Sequence, residues 1–223
     1  MHLDPHEVVE AELIFNPRLY DSKEFAFLKR NLFKGDVFLD IGASIGTYTV
    51  VASSLVGPNG SVVAIEPVPE TFQILHENVC RNNMANVTTR KIALSEVDTL
   101  REMSVSIRSD ELRYKRGLSS LVRMKPSGET ILVECLTLTS LLRQLKISQI
   151  AGLKIDIEGS EYSVLRSYFE STPQCQQRPR FIICEQNPRL VKKGEDVKTL
   201  VEDNGYRAVY NNRSSNNFIF IQS

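Results

Sequence analysis

The chain has 223 residues, 27 Lys and Arg against 27 Asp and Glu, and a hydrophobic content of 42%. This length accommodates one α/β domain, and the ordinary hydrophobic content excludes a disordered chain. A formal net charge of zero excludes a globally basic nucleic-acid binder and a polybasic membrane binder, and no apolar run reaches the ~18 residues of a membrane span.

The first part of the chain predicts helices that alternate with short apolar strands. Residues 22–33 have helical periodicity and close an N-terminal helical lead-in at 1–33. Residues 36–42 predict a buried strand. They are followed by a helix at 45–56, which ends at a Gly-Pro-Asn-Gly turn, and by a second strand at 61–66.

The middle of the chain departs from this alternation. A helix that begins at Pro69 and a third strand at 87–94 still follow it. Residues 100–136 are polar and basic in the middle and β-like at both ends. We interpret them as an inserted segment that forms a lid over an acceptor site.

The last part of the chain returns to regular alternation. Its predicted elements are helices at 136–145, 160–170 and 194–205, strands at 151–157 and 180–185, and a terminal hairpin at 206–222. This pattern predicts an α/β fold with a mostly parallel sheet, helices on both faces and one antiparallel strand from the hairpin. No linker divides the chain, so we expect a single domain over 1–223 with its ligands beyond the carboxyl ends of the strands.

The strongest local signal is DIGASIGT at 40–47, at a predicted strand-to-helix turn. Gly42 and Gly46 allow the backbone to bend sharply and to approach a ligand closely. The dinucleotide fingerprint would also require glycine where Ser44 and Thr47 stand. The turn therefore argues against a nicotinamide-dependent dehydrogenase.

Glu66 lies at the end of the second predicted strand. A carboxylate there can accept hydrogen bonds from both hydroxyls of a ribose, whereas the alternative interpretation is a surface acid that precedes Pro67. Together with a glycine turn that lacks the pyrophosphate fingerprint, Glu66 favours a nucleoside ligand without a pyrophosphate. S-Adenosylmethionine is the commonest ligand of that kind.

Charged residues also occur in the predicted strand LKIDIEG. If the chain stays extended, Lys154, Asp156 and Glu158 lie on one side of it. Charges in a buried strand are costly unless they are paired or functional, so a structural pair of Lys154 with Asp156 or Glu185 is the alternative to a functional site. Glu185 ends the next strand and precedes Gln186 and Asn187, which adds further oxygen ligands.

These sequences resemble the FkbM-type family of S-adenosylmethionine-dependent methyltransferases. The resemblance covers roughly residues 30–210 and is carried by DIGASIGTYT at 40–49, AIEPVPETFQILHENVCRNN at 64–83, KIALSE at 91–96, TLTSLL at 137–142, LKIDIEGSEYSVLRS at 153–167 and FIICE at 181–185. The glycine turn combined with KIDIEGSE is specific to this family. The resemblance implies a Rossmann-like class I methyltransferase fold, usually with a seven-stranded sheet, and O-methylation of a hydroxyl on a small molecule such as a sugar or natural product.

The resemblance also implies a set of residues that bind S-adenosyl-L-methionine. They are Asp40, Gly42, Ala43, Ser44, Gly46, Glu66, Pro67, Ala93 and Asp156. In this assignment Glu66 holds the ribose, and Ala93 and Leu94 flank the adenine. Asp156 faces the amino group or the methyl-transfer site. The family often has Asn where Ser44 stands and Asp where Thr139 stands, although Thr139 can still cap its helix.

Two carboxylates are the candidates for catalysis. We expect Asp156 or Glu185 to deprotonate or orient the acceptor hydroxyl, because the three histidines fall outside the predicted strand ends. A resident metal is not expected, but one alternative makes Asp156, Glu185 and Asn187 ligands of a divalent cation such as Mg²⁺. Another alternative is a protein that binds S-adenosylmethionine without transferring its methyl group.

The predicted partner is a small-molecule acceptor. Residues 101–125 contain seven basic and three acidic side chains, which favours an anionic acceptor unless the segment is a solvated surface. Nucleic acid is not expected, because Tyr114 alone interrupts the basic stretch and no stacking platform is visible. A membrane partner is not expected either.

The cysteines and the N-terminus predict a cytoplasmic location. Cys80, Cys135, Cys175 and Cys184 contain no C-x-x-C pair, so a zinc site is not expected and a reduced setting is the default. Cys184, within an apolar run, is predicted to belong to the core. The first 15 residues lack the basic head and apolar stretch of a secretory signal.

Overall fold

The computed structural model describes residues 21–105, 129–172, 178–186, 194–212 and 217–223, together with residues 1, 3, 15 and 190. The first half contains helices α1 (Ser22–Asn31), α2 (Thr47–Val56) and α3 (Pro69–Arg81), and strands β1 (Val37–Ile41), β2 (Ser61–Ile65), β3 (Val87–Arg90), β4 (Ala93–Leu94) and β5 (Thr99–Val105). The second half contains helices α4 (Leu138–Gln144), α5 (Glu161–Ser171) and α6 (Val197–Asp203), and strands β6 (Glu129–Leu136), β7 (Gly152–Ile155), β8 (Phe181–Glu185), β9 (Tyr206–Asn212) and β10 (Asn217–Gln222).

Seven strands form one sheet in the order β3-β2-β1-β7-β8-β10-β9. The first five are parallel to one another, and β10 runs antiparallel to both of its neighbours. This arrangement confirms the predicted α/β fold with one antiparallel strand from the terminal hairpin. The strand order changes direction between β1 and β7, which is where ligands of such sheets bind.

Apolar side chains cover both faces of the sheet because successive residues of a strand point to opposite sides. On one face Leu39 packs with Val164 and Leu165 of α5. On the other face Phe38 packs with Leu28 of α1 and Ala52 of α2. Cys184 is fully buried in the first of these clusters, as its sequence context predicts.

The predicted third strand at 87–94 is divided between two sheets. Residues Val87–Arg90 pair with β2 in the large sheet, whereas Ala93–Leu94 pair with β6 in a second sheet of three strands, in the order β4-β6-β5. The prediction of one strand was wrong because a period-two pattern shows which side chains are buried but not which strand is the hydrogen-bonding partner.

The two ends of the predicted insertion form an antiparallel pair. Strands β5 and β6 are in register from Thr99 opposite Cys135 to Val105 opposite Glu129. Met103, Val105 and Val133 pack there against Ala93 of β4. Residues 106–128, the middle of the predicted lid at 100–136, lie outside the described residues.

Helix α4 begins at Leu138, one residue before Thr139, which was predicted to cap it. Thr137 is the N-cap residue, and its hydroxyl accepts a hydrogen bond from the Ser140 backbone N–H at 3.1 Å. Thr139 lies inside the helix and its Oγ1 is 2.6 Å from the Oγ of Ser171, so the prediction that Thr139 caps this helix was wrong. Asp98 adds a second cap by accepting from the Thr137 N–H at 2.6 Å.

None of the helices among the described residues is both long and apolar enough to cross a membrane.

Candidate active site

A cleft opens at the carboxyl ends of β1, β2 and β7, beside the point where the strand order changes direction. Six of the residues predicted to bind the cofactor line it, namely Gly42, Ser44, Glu66, Pro67, Ala93 and Asp156. The wall also includes residues that the predicted set lacks, among them Ile41, Val68, Thr71, Ile92, Met103 and Glu158. Most of these lie close in sequence to a predicted residue. Met103 comes from β5 of the small sheet, and no local sequence pattern predicts that it lines the cleft.

Four predicted residues do not line this cleft. Asp40 is fully buried beneath the glycine turn, where Ala43 is also buried. Gly46 is the N-cap residue of α2 and packs toward Leu75 of α3. Ala43 and Gly46 are therefore part of the turn but not of the cleft wall, and Asp40 lies in β1 beneath the turn. Glu185 lies apart from the cleft wall at the end of β8.

The glycine turn is fixed by the ends of two neighbouring strands. The backbone N–H groups of Gly42 and Ala43 both donate to the carbonyl of Ile65, at 3.0 and 2.8 Å. Gly42 has a φ of +76°, and a Cβ at this position would lie 1.8 Å from the carbonyl oxygen of Asp156. Only glycine fits here, because both the backbone conformation and the contact with the end of β7 exclude a side chain.

Helix α3 supports the same turn from behind. The buried side chain of Asn78 donates from Nδ2 to the carbonyl of Ile45 at 2.9 Å. No local sequence signal identifies Asn78, because the two bonded residues lie 33 positions apart and the acceptor is a backbone carbonyl.

Ser44 occupies a backbone conformation that favours other residues. Its φ is +50°, in the left-handed region where Gly, Asn and Asp are enriched. The resemblance described above places Asn at this position in many family members, and the left-handed conformation gives the physical reason. The Ser44 N–H donates to Glu66 Oε2 at 3.1 Å, which ties the turn to the end of β2.

Glu66 is the central acceptor on the β2 side of the cleft. Its side chain is buried, and Oε1 accepts a second backbone hydrogen bond from Val68 at 3.0 Å. Burial raises the pKa of Glu66 to about 7, although the two backbone N–H groups favour the charged form. A carboxylate has about four lone-pair sites, so these two bonds leave acceptor capacity for a ligand.

Asp40 is a buried carboxylate with one satisfied oxygen. Its Oδ2 accepts from the Thr49 hydroxyl at 2.5 Å, and within the described part of the chain its Oδ1 has no hydrogen-bond partner. Burial raises the pKa of Asp40, and the Lys154 ammonium opposes this rise.

Lys154 and Asp156 form an ion pair at the end of β7. The Lys154 Nζ lies 3.1 Å from Asp156 Oδ2 and 3.4 Å from the carbonyl oxygen of Gly42. Nζ also lies 5.2 Å from the centroid of the Tyr48 ring, a cation–π distance. The pairing of Lys154 with Asp156 is the structural interpretation that the sequence left open, and Asp156 also lines the cleft.

The chain does not stay extended beyond Asp156. Strand β7 ends at Ile155, and Glu158 and Gly159 have φ values of +53° and +106°. The prediction that Lys154, Asp156 and Glu158 alternate along one strand was therefore wrong at Glu158. A backbone turn replaces the strand there.

Buried Glu161 shapes this turn. Its Oε1 accepts from the backbone N–H of Ile157 at 2.9 Å, and its Oε2 accepts from that of Gly159 at 3.0 Å. The side chain is 2% exposed and belongs to the first turn of α5. The last acidic residue of KIDIEGSE therefore holds the backbone that places Asp156 and Glu158 at the cleft.

Glu185 ends β8 on the same edge of the sheet. Burial and the nearby Asp156 raise its pKa to about 8, Lys154 opposes the rise, and Asp21 and Glu158 add to it. Asp21 comes from the residue before α1, where it accepts a hydrogen bond from the Tyr48 hydroxyl at 2.9 Å.

The described residues contain no group of three or more His, Cys, Asp or Glu side chains that could hold a metal ion. Asn187, the third ligand of the metal alternative, lies outside the described residues. His76 lies on an exposed part of α3, with Nδ1 3.2 Å from the hydroxyl of Thr89, and does not line the cleft. Arg101, the first basic residue of the predicted lid, forms an ion pair with Glu96 at 2.7 Å, and the other six basic residues fall within 106–128.

Known proteins that are similar to this chain show the family to which it belongs. A family model described as the methyltransferase FkbM domain matches residues 40–208. The chain belongs to the FkbM methyltransferase family. A relative from Streptomyces tacrolimicus, 31-O-demethyl-FK506 methyltransferase FkbM, is 29% identical over an alignment of 154 residues that covers 59% of this chain and 58% of that protein.

Solved structures of this and related families share the fold. FkbM methyltransferase from Methylobacillus flagellatus KT superimposes with a TM-score of 0.55 at 15% identity, over 85% of this chain and 44% of that one. An O-methyltransferase from Bacillus cereus in complex with S-adenosylhomocysteine gives a TM-score of 0.52 at 13% identity, over 89% and 78% of the two chains. The chain thus spans about half the length of its FkbM relatives and has the class I methyltransferase fold, whose methyl donor is S-adenosylmethionine.

The cleft has the chemistry that S-adenosylmethionine requires. Glu66 has acceptor capacity for hydroxyl groups, and Ile92, Ala93 and Met103 form an apolar wall for an aromatic base. Asp156 adds a second carboxylate to the wall, which suits a ligand that has an amino group and a positively charged sulfur. The residues present therefore fit the cofactor that the family implies.

Proposed function

We propose that this protein transfers the methyl group of S-adenosylmethionine to a hydroxyl group of a small molecule. The observation that carries the proposal is that Asp156 follows β7 and Glu185 ends the adjacent strand β8, with Asp156 in the wall of the cofactor cleft. This arrangement provides two carboxylates at the edge of the site where an acceptor must approach.

On the cofactor side, the residues of the cleft bind and orient. In this proposal Glu66 accepts hydrogen bonds from the ribose hydroxyls, and Pro67, Ile92 and Ala93 enclose the adenine. Gly42 and Ser44 bring the backbone close to the methionine part, while Asp40, Ala43 and Gly46 maintain the shape of the turn beneath it. When bound, the cofactor supplies an electrophilic methyl group on a sulfonium sulfur.

On the acceptor side, the two carboxylates have different tasks. Asp156 is held by its ion pair with Lys154, and it orients the acceptor by accepting hydrogen bonds. The ionised form of Glu185, whose pKa is raised to about 8, takes the proton of the acceptor hydroxyl, and the fraction of this form grows as pH rises toward 8. As the oxygen–carbon bond forms and the carbon–sulfur bond breaks in line, the proton stays on the Glu185 carboxyl until water removes it.

The hydroxyl acceptor is supported by the Streptomyces relative, which is by name a 31-O-demethyl-FK506 methyltransferase. The Lys154 ammonium lies against Asp156, where the metal alternative would require a divalent cation, and this favours direct proton transfer. The three described cysteines are free thiols, which agrees with the cytoplasmic location that we propose. An anionic acceptor drawn by residues 101–125 is also part of the proposal.

The test is transfer of labelled methyl from S-adenosylmethionine to a panel of hydroxylated macrolides, monosaccharides and glycosides, with total RNA as a separate acceptor. We expect a methoxy product with a member of the panel, unchanged turnover in excess EDTA, and at least about a hundredfold loss in Glu185→Gln. Glu77→Gln, an exposed acid on α3, is the matched control.

Several outcomes would overturn the proposal. Methylation of RNA alone would replace the acceptor class, and loss of activity in EDTA would replace the catalytic scheme by a metal-assisted one. Tight binding of S-adenosylmethionine without transfer to any acceptor would make the protein a cofactor-binding protein.

A further inference from the structure

Lys154 is a buried cation at the point where the two halves of the site meet. It lies in β7, opposite Asp40 of β1 and Ile183 of β8, and it is 8% exposed. Its Nζ contacts the carbonyl oxygen of Gly42 on the cofactor side and the carboxylate of Asp156 on the acceptor side. One side chain thus connects the glycine turn to the acidic end of β7.

Several acidic side chains surround Lys154, together with the Tyr48 ring and the Gly42 carbonyl. Besides Asp156, its charge acts on carboxylates from the residue before α1, from β1, from the end of β2 and from β8, which are Asp21, Asp40, Glu66 and Glu185. Burial raises the pKa of these four, and the Lys154 ammonium opposes the rise at each of them.

We propose that Lys154 is a positioning residue that holds Asp156 against the glycine turn and sets the charge balance of the cleft between the cationic methyl donor and its neutral product. The proposal rests on the proposed function only in taking this cleft as the cofactor site. S-Adenosylmethionine and S-adenosylhomocysteine have nearly the same shape and differ by one positive charge at sulfur. The cation at Lys154 opposes binding of the donor, while the carboxylates favour it.

This balance has a consequence for turnover. Without Lys154 the cleft would hold its donor too tightly relative to the transition state, in which the positive charge on sulfur is disappearing. With Lys154 in place, part of the attraction of Asp156 for the sulfonium is neutralised, and the carboxylate keeps one orientation. Lys154 therefore acts through Asp156 and needs no contact with the acceptor.

The test is the ratio of the two dissociation constants, Kd of S-adenosylmethionine over Kd of S-adenosylhomocysteine, measured by calorimetry on the full chain. In Lys154→Met we expect the ratio to fall about three- to tenfold, because one repulsive charge near the sulfur is gone. Lys154→Arg should keep the wild-type ratio. Lys198→Met, which removes an exposed lysine of α6, is the matched control for loss of one positive charge.

Asp156→Asn should change the ratio of dissociation constants in the opposite direction. It keeps the test informative if Lys154→Met does not fold. Its ratio should rise about three- to tenfold. The double variant Lys154→Met/Asp156→Asn removes the ion pair as a unit and should return the ratio close to that of the wild type.

Outcomes that overturn the inference are distinct from those that overturn the proposed function. If Lys154→Met weakens both ligands equally and leaves the ratio unchanged, Lys154 only packs. A wild-type protein that binds both ligands but methylates no hydroxyl would overturn the proposed function alone. A wild-type protein that binds neither ligand would overturn both.

Discussion

Glu66 uses one carboxylate for two tasks. It accepts backbone hydrogen bonds from Ser44 and Val68, so it joins the glycine turn to the residue before α3. The same carboxylate lines the cleft, where we propose that it accepts the ribose hydroxyls. A residue that shapes its own binding site in this way affects both the geometry of the site and its affinity.

The first prediction concerns Glu66→Gln. We expect the affinity for S-adenosylhomocysteine to fall about 10- to 100-fold, because hydrogen bonds to a charged group contribute about 1.5–3 kcal/mol and an amide presents a donor to one backbone N–H. Calorimetric titration measures the change. The control is Glu77→Gln, which changes an acid on the solvent-facing side of α3. Equal affinities of Glu66→Gln and the wild type would contradict the ribose assignment.

The second prediction gives the pH dependence of the same contact. The pKa of Glu66 is raised to about 7 by burial, and hydroxyl donors bind the ionised form. Affinity for S-adenosylhomocysteine should therefore rise as pH increases toward 7, up to about tenfold per pH unit, and level off above it. Dissociation constants measured on both sides of this pKa test the trend, and a flat profile would show that another group dominates binding.

At the scale of the elements, the site depends on turns that follow β1 and β7 and contact each other. Gly42 in the first turn lies directly against the carbonyl of Asp156 in the second. Lys154 and Glu161 then fix the second turn from two sides, one through the Asp156 side chain and the other through backbone N–H groups. A change in either turn is therefore expected to reach the other.

The third prediction compares two glycines with similar backbone conformations. Gly35 has a φ of +89° and open space where a Cβ would stand, whereas a Cβ at Gly42 would lie 1.8 Å from the carbonyl oxygen of Asp156. Gly35→Ala should lower the free energy of unfolding by about 1 kcal/mol and leave binding of S-adenosylhomocysteine unchanged. Gly42→Ala should lower it by at least about 3 kcal/mol and abolish binding.

Urea unfolding and calorimetry measure both glycine variants. If Gly42→Ala behaved like Gly35→Ala, the close approach of the two turns would not be essential to the site.

The fourth prediction concerns Glu161→Gln. The amide NH₂ would replace Oε2 and face the Gly159 N–H that Oε2 now accepts at 3.0 Å, which leaves only Oε1 as an acceptor for both backbone N–H groups, so the turn should open more often. We expect the amide hydrogens of these two residues to exchange about 10- to 100-fold faster, measured by NMR, while those in the middle of α5 stay protected. Glu170→Gln on the exposed face of α5 is the control, and unchanged exchange in Glu161→Gln would contradict this role.

Particular residues show how far sequence predicts this site. Gly42 and Glu66 were identifiable because a glycine turn and an acid at a strand end have local sequence signatures. The places of Met103 and Asn78 were not, since each depends on a pairing between distant segments. The split of residues 87–94 between two sheets has the same cause, because burial periodicity is the same for either partner strand.

At the scale of the whole molecule, buried carboxylates gather at one edge of the large sheet. Burial raises the pKa of Glu66 to about 7 and that of Glu185 to about 8, both above the ordinary value of 4.5. A raised pKa in the folded state contributes stability below the unfolded pKa, and this contribution is lost as pH rises through the folded pKa.

The fifth prediction follows from this loss of stability with rising pH. The free energy of unfolding should fall between about pH 5 and about pH 8, by at most about 3 kcal/mol for Glu66 and at most about 5 kcal/mol for Glu185. Urea midpoints across this range measure the trend, and Glu185→Gln should flatten its upper part. Stability that rises over the same range would show that these carboxyls are already charged in the folded protein at its acidic end.

The small sheet has a consequence for how such a protein can diverge. Ala93 in β4 is part of the cleft wall, and β4 pairs with β6, the strand in which the inserted segment ends. A substitution or length change that shifts β6 would displace the surface proposed to enclose the adenine. A change of acceptor in descendants of this chain would therefore have to leave β4 and β6 paired in the present register. An insertion grafted from another member of the family would have to bring β4 and β6 with it.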